Sequence, residues 1–98
     1  MNKLKKIRRA CGGISLRVLA ISLEKQGTKV GWTHLNHYEI GKTSLSAEKL
    51  LAIANFFQIS VGYLKGEKRP QTRREKIIEG VIYFQDTVEK EVDMIYDG

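Results

Sequence analysis

The chain is poor in the residues that most simply identify many small proteins. It has one cysteine, Cys11, in 98 residues. An internal disulfide is therefore excluded, and a zinc site cannot be framed by cysteine alone. There is one proline, Pro70, so the rest of the chain is free of the residue that most reliably breaks helices. Long hydrophobic runs are missing. The best of them, residues 50–57, is interrupted by Asn55 and is far too short to span a bilayer. Met1–Ala10 is basic, but no continuous apolar stretch follows it, so no signal peptide is read and a cytoplasmic protein with no membrane partner is expected. No aspartate precedes Asp86, and the two histidines, His34 and His37, fall close together, which leaves nothing to assemble a hydrolytic triad.

Acidic side chains are scarce over most of the length. Residues 1–74 carry 15 basic and four acidic side chains, a net of +11, whereas residues 75–98 carry two basic and seven acidic, a net of −5. A basic body with an acidic tail points to a polyanion partner for the body and another task for the tail. At 98 residues and 42% apolar composition the chain makes one small domain with room for a short appendage. Pro70 sits at the change of sign, which places domain boundaries at 1–66 for the body, 67–71 for a linker and 72–98 for a C-terminal segment.

The body shows helical periodicity and no period-two alternation, so its class is all-α. Leu4 and Ile7 open a first helix that ends at Gly12-Gly13. Ser15 is an N-cap for a second, where Leu16, Leu19, Ala20 and Leu23 share a face and Gly27 is the stop. Val30-Gly31 opens a third helix running through Ile40, with Val30 positioned to staple onto Leu35 and Gly41 as its stop. Ser46 caps a fourth, with Glu48 in its first turn and Leu50, Leu51, Ile53, Ala54 and Phe57 as its apolar face. Ser60 caps a short fifth helical turn through Leu64, ended by Gly66. Thr72-Arg73-Arg74-Glu75 matches a capping box, predicting a sixth helix to about Tyr96. Its stripe Ile77, Ile78, Val81, Ile82, Phe84, Val88, Val92 and Ile95 is too broad for a lone helix. It either folds back onto the body or pairs with a partner, and the interface expected for a homodimer or another protein is Ile77, Val81, Phe84, Val88, Val92 and Ile95.

The order Leu4-x-x-Ile7-Arg8, Ile14-Ser15-x-x-x-Leu19-Ala20, Leu35-x-x-Tyr38-Glu39-x-Gly41-Lys42, then Leu50-Leu51-x-Ile53-Ala54-x-x-Phe57-x-Ile59-Ser60-x-x-Tyr63-Leu64 resembles the Cro/C1 repressor family, the Xre-type helix-turn-helix proteins. The resemblance covers roughly residues 3–66. It implies a five-helix lambda-repressor-like helix-turn-helix domain, here followed by a C-terminal helix, and a transcriptional regulator, most simply a repressor, that binds an inverted-repeat operator in double-stranded DNA as a homodimer. Three departures stand out: Leu16 where the family often has Gln, an extra residue at Gly12-Gly13, and a turn over 23–29 that is about five residues longer than the family's. The family also includes antitoxins that bind a toxin through an appended segment, which makes such a partner the alternative use of residues 72–98.

The resemblance makes helix 32–40 the recognition helix, with Trp32, Thr33, His34 and His37 at its base-reading positions; Asn36 joins them as an outward amide. His and Asn side chains bond base edges, and Thr offers a hydroxyl and a methyl. Two placements are open for Trp32, against sugar or thymine methyl, or closed over the long turn as core. Ser15, Arg17, Lys29, Lys42 and Thr43 are the phosphate-contacting candidates, with Lys25 a weaker one, while Lys3, Lys5, Lys6 and Arg9 add non-specific attraction or a solvated face. The family's helix-one arginine pairs with the glutamate matching Glu39; Arg8 takes that place by its phase with Leu4 and Ile7, Arg9 being the alternative. Gly41-Lys42-Thr43 imitates the end of a phosphate-binding loop, but Asn36 stands where that motif requires glycine. His34 and His37 with Cys11 fall short of a structural zinc set. No cofactor, no metal and no enzymatic activity are expected.

Overall fold

The computed structural model describes the backbone of residues 2–96, with side-chain burial described up to residue 91. The described chain is all-helical, in the order α1 (Leu4–Ala10), α2 (Leu16–Lys25), α3 (Trp32–Glu39), α4 (Ala47–Phe57), α5 (Val61–Leu64) and α6 (Arg73–Tyr96). No helix among the described residues is long and apolar enough to cross a membrane.

Three of the helix starts share a local cause. The Ser15, Ser46 and Ser60 hydroxyls accept from Val18 N, Lys49 N and Tyr63 N, satisfying donors that the first helical turn leaves unpaired. The stops are equally local. After α3, Gly41 adopts φ 82, which lets Gly41 N donate to Tyr38 O and Lys42 N donate to His37 O. A side chain at that φ would be strained, so glycine closes the helix in this way at little cost.

The core joins all six helices. Leu4 and Ile7 of α1, Leu19 and Leu23 of α2, Leu35 and Tyr38 of α3, Ile53, Ala54 and Phe57 of α4, and Tyr63 and Leu64 of α5 are buried together, and Val30, just before α3, belongs to the same core. Leu51, expected on the apolar face of α4, is exposed; that face is filled by Leu50, Ile53, Ala54 and Phe57 at spacings of three, one and three, which turns Leu51 outward.

The sequence boundary at 67–71 does not separate α6 from the body. Ile78 and Ile82 enter the same core, and Glu75 is 1% exposed. The capping box closes as expected: Glu75 N donates to Thr72 Oγ1, and the Glu75 carboxylate accepts from Thr72 N, Gln71 N and, across from α5, Ser60 N at 2.7 Å. Arg74 Nε donates to Phe57 O, fastening the same end of α6 to α4. Further along, Lys3 pairs with Glu79, Lys6 with Asp86 and Arg9 with Glu89, so α6 runs in the same direction as α1 and lays its acids along α1's cations. Of the expected interface residues, Ile77, Phe84 and Val88 stay exposed and Val81 is half-buried; the side chains of Val92 and Ile95 lie outside the described residues.

Candidate nucleic-acid interface

The outer surface around α3 follows from which of its residues the core takes. Leu35 and Tyr38 are spaced three apart and both buried, so the rest of the helix is left at the side or facing out. Thr33 and His37 are exposed and Trp32 is 44% exposed, while His34 and Asn36 are half-buried at the flanks. The core placement of Trp32 is thereby excluded. Instead the Arg17 guanidinium lies over the indole, 4.9 Å from ring centre. This stack brings the first turn of α2 against the first turn of α3, with both side chains exposed at the surface. Gly31, the N-cap of α3, has no side chain, and no side-chain cap bonds the first-turn N–H groups at the positive end of the helix dipole.

Cations and hydroxyls surround this edge. Arg17, Lys25 and Lys29 are exposed on α2 and the turn after it, and Lys42 and Thr43 are exposed directly beyond α3. Ser15 is exposed too, its Oγ capping α2, and Thr43 Oγ1 donates to Ser44 O at 3.2 Å. The longer turn has a defined form: α2 continues to Lys25, and Thr28 N donates back to Leu23 O across Gly27. Its lysines are thus held beside α2 on a closed helix end.

A polar clamp supports α3 from below. Arg8 Nε and Nη2 donate to the two Glu39 carboxylate oxygens at 2.8 and 2.7 Å, while Nη1 donates to Ile14 O at 2.7 Å. Both side chains are largely buried. One guanidinium thus joins the end of α1, the loop before α2 and the last residue of α3. Arg9, the alternative, is instead turned to Glu89. Asn2 adds a second tie that sequence reading missed: its Nδ2 donates to Tyr38 O and its Oδ1 accepts from Leu4 N. Asn2 lies two residues before the first helical residue, one before the N-cap Lys3, so its carboxamide takes a first-turn N–H from outside the usual cap position.

The cations of α1 have another use. Lys3 Nζ donates to Glu79 and sits 4.7 Å above the Tyr63 ring, and the Tyr63 hydroxyl donates to the same carboxylate. Burial pushes the Tyr63 hydroxyl up from its ordinary value, and its bond to Glu79 pushes it further; burial also acts to raise Glu79, but the Tyr63 and Lys3 bonds outweigh it and hold that carboxyl low. Lys3, Lys6 and Arg9 are therefore engaged by α6 and are not a free basic face. Between α1 and α6 is a recess of about 340 Å³ lined by Asn2, Lys3, Lys5, Lys6, Glu39, Glu79 and Ile82. Most of its charged rim is already paired across the seam. Burial raises the Cys11 thiol above its ordinary value, with the Arg74 charge pulling weakly the other way, so it is held as a thiol.

Among the described residues no three His, Cys, Asp or Glu side chains gather in a way that would hold a metal ion. No protein-family model, curated protein or solved structure is similar enough to this chain to be counted a match.

Proposed function

We propose that the chain is a sequence-specific DNA-binding regulator, a repressor working as a homodimer on an inverted-repeat site, with α2 and α3 in the lambda-repressor-like helix-turn-helix arrangement and α3 lying in the major groove. One observation carries the reading. The short α3 buries only Leu35 and Tyr38 and turns Trp32, Thr33 and His37 outward, at the edge where Arg17 stacks on Trp32. A helix of that width fits the major groove, and a hydroxyl, an imidazole and an indole are side chains that meet base edges, sugars and thymine methyls.

The surrounding chemistry supports it. Arg17, Lys29 and Lys42 are exposed near the outward face, and the start of α3 has no side-chain cap, which favours phosphate attraction and base contact on one edge. The Arg8–Glu39 clamp serves this surface indirectly by holding the end of α3. The residues are suited to binding and not to bond-making.

Selection from a random double-stranded DNA library with the full chain tests the proposal. Enrichment of an inverted repeat with half-sites one helical turn apart, roughly 34–36 Å, is expected. A pool that stays random after repeated rounds would contradict it.

A further inference from the structure

Helix α6 has two apolar faces, and among the described residues only one of them enters the core. Ile78 and Ile82 enter the core, and Glu79, Gln85, Asp86 and Glu89 on the same side bond to α1 or α5. Ile77, Val81, Phe84 and Val88, at spacings of four, three and four, form a second stripe turned away from the body. Ile77 is 60% exposed, Phe84 66% and Val88 39%. Such spacing is the seam of a two-helix contact.

The charges beside this stripe decide what fits it. Arg73 and Glu91, both exposed, stand 18 residues apart, about five turns at 3.6 residues each, and so occupy the same flank at opposite ends of the stripe. A second copy of α6 laid parallel would bring Arg73 and Arg74 against the same two arginines. Laid antiparallel, it sets Ile77 opposite Val88 of the partner subunit and Val81 opposite Phe84 of the partner subunit. In that register Arg73 stands one residue, about 1.5 Å of rise, from the position opposite Glu91 of the partner subunit and on the same flank, within side-chain reach, and the symmetry makes the ion pair twice. The stripe is nearly self-complementary on reversal, which is what a two-fold contact requires.

We infer that the exposed face of α6 is covered by α6 of a second copy, packed antiparallel and keyed by Arg73 and Glu91. The inference deepens the homodimer of the functional reading and rests on it for the use of the dimer, but the contact itself needs no DNA. The body lies on the other side of α6, so pairing leaves the α1–α6 seam intact.

The test is analytical ultracentrifugation of the full chain without DNA, from about 1 to about 100 µM. A concentration-dependent dimer is expected, and Phe84→Glu turns it into a monomer of unchanged helical circular dichroism. Reversing one flank charge, as Arg73→Glu or Glu91→Arg, weakens dimerisation roughly three- to tenfold, since two exposed ion pairs become two repulsions. R73E/E91R together restores affinity to within about twofold, the mark of direct pairing. A wild-type monomer over the whole range overturns the inference and leaves the face to a different protein. So does a dimer in which the double reversal is no better than either single one. Failure of the DNA selection with an intact, rescuable dimer would count against the regulator alone.

Discussion

Arg8 and Glu39 form a two-pronged ion pair, largely out of water, that joins the first helix to the last residue of the third. Removing either partner strands the other's charge in a poorly solvated place. Arg8→Ala or Glu39→Ala should each lower unfolding free energy by about 3 kcal/mol, toward the low end of the range for broken buried pairs. Chemical denaturation measures this directly. The double variant should cost clearly less than the two single losses combined. Full additivity would show that the two side chains do not act as a pair.

Arg17 and Trp32 are coupled by stacking, so their contributions to DNA binding should not be independent. A double-mutant cycle with Arg17→Ala and Trp32→Ala on the selected duplex should give a coupling of about 0.5–1 kcal/mol, the size of an exposed cation–π contact. Lys42, which has no such platform, should behave as a plain phosphate contact: Lys42→Ala lowers affinity on all sequences and reduces the salt slope by about one unit. Zero coupling in the first case, or an unchanged slope in the second, would remove the residue concerned from its assigned role.

Glu75 makes stability depend on pH. Burial alone would raise its carboxyl, but the N–H groups of Gln71, Ser60 and Thr72 outweigh that and hold it below the ordinary 4.5. A carboxylate lowered by folding contributes fully above its unfolded value and loses that contribution as pH falls through the folded one. Glu75→Gln should therefore cost about 1.5–3 kcal/mol near neutrality, the worth of hydrogen bonds to a buried charge. The gap between wild type and variant should narrow steadily below the ordinary carboxyl value. A gap that is constant down to strongly acid pH would mean that the charge is not what matters.

Much of the helical frame could be read from the chain because its signals are local. Ser15, Ser46 and Ser60 cap where their spacing places them, Gly27 and Gly41 stop their helices, and Thr72 with Glu75 closes the capping box. The pairing of Arg8 with Glu39 rested on a resemblance, and Arg8 is in the position it implied. The double use of α6 was not legible. Ile77 beside Ile78, and Val81 beside Ile82, read as one wide stripe, yet each step along a helix turns about 100°, and neighbouring residues go to different faces. The ion pairs of Lys3, Lys6 and Arg9 with α6 link residues 76 to 80 positions apart. The reversal of charge along the chain hinted at them, but charge balance names no partners. Trp32 was undecided because an indole suits either a core or a groove; the Arg17 stack is a tertiary contact that no local pattern contains.

The central claim is that exposed side chains of α3 read bases. It is tested most directly by fluorescence anisotropy with the selected duplex and a scrambled one, at a single near-physiological salt concentration, for wild type and His37→Ala. Wild type should prefer the selected duplex by at least about 10³-fold. His37→Ala should lose roughly 1–3 kcal/mol on the selected duplex and little on the scrambled one. Equal affinity of wild type for both duplexes, or equal loss on both in the variant, would contradict base reading by α3.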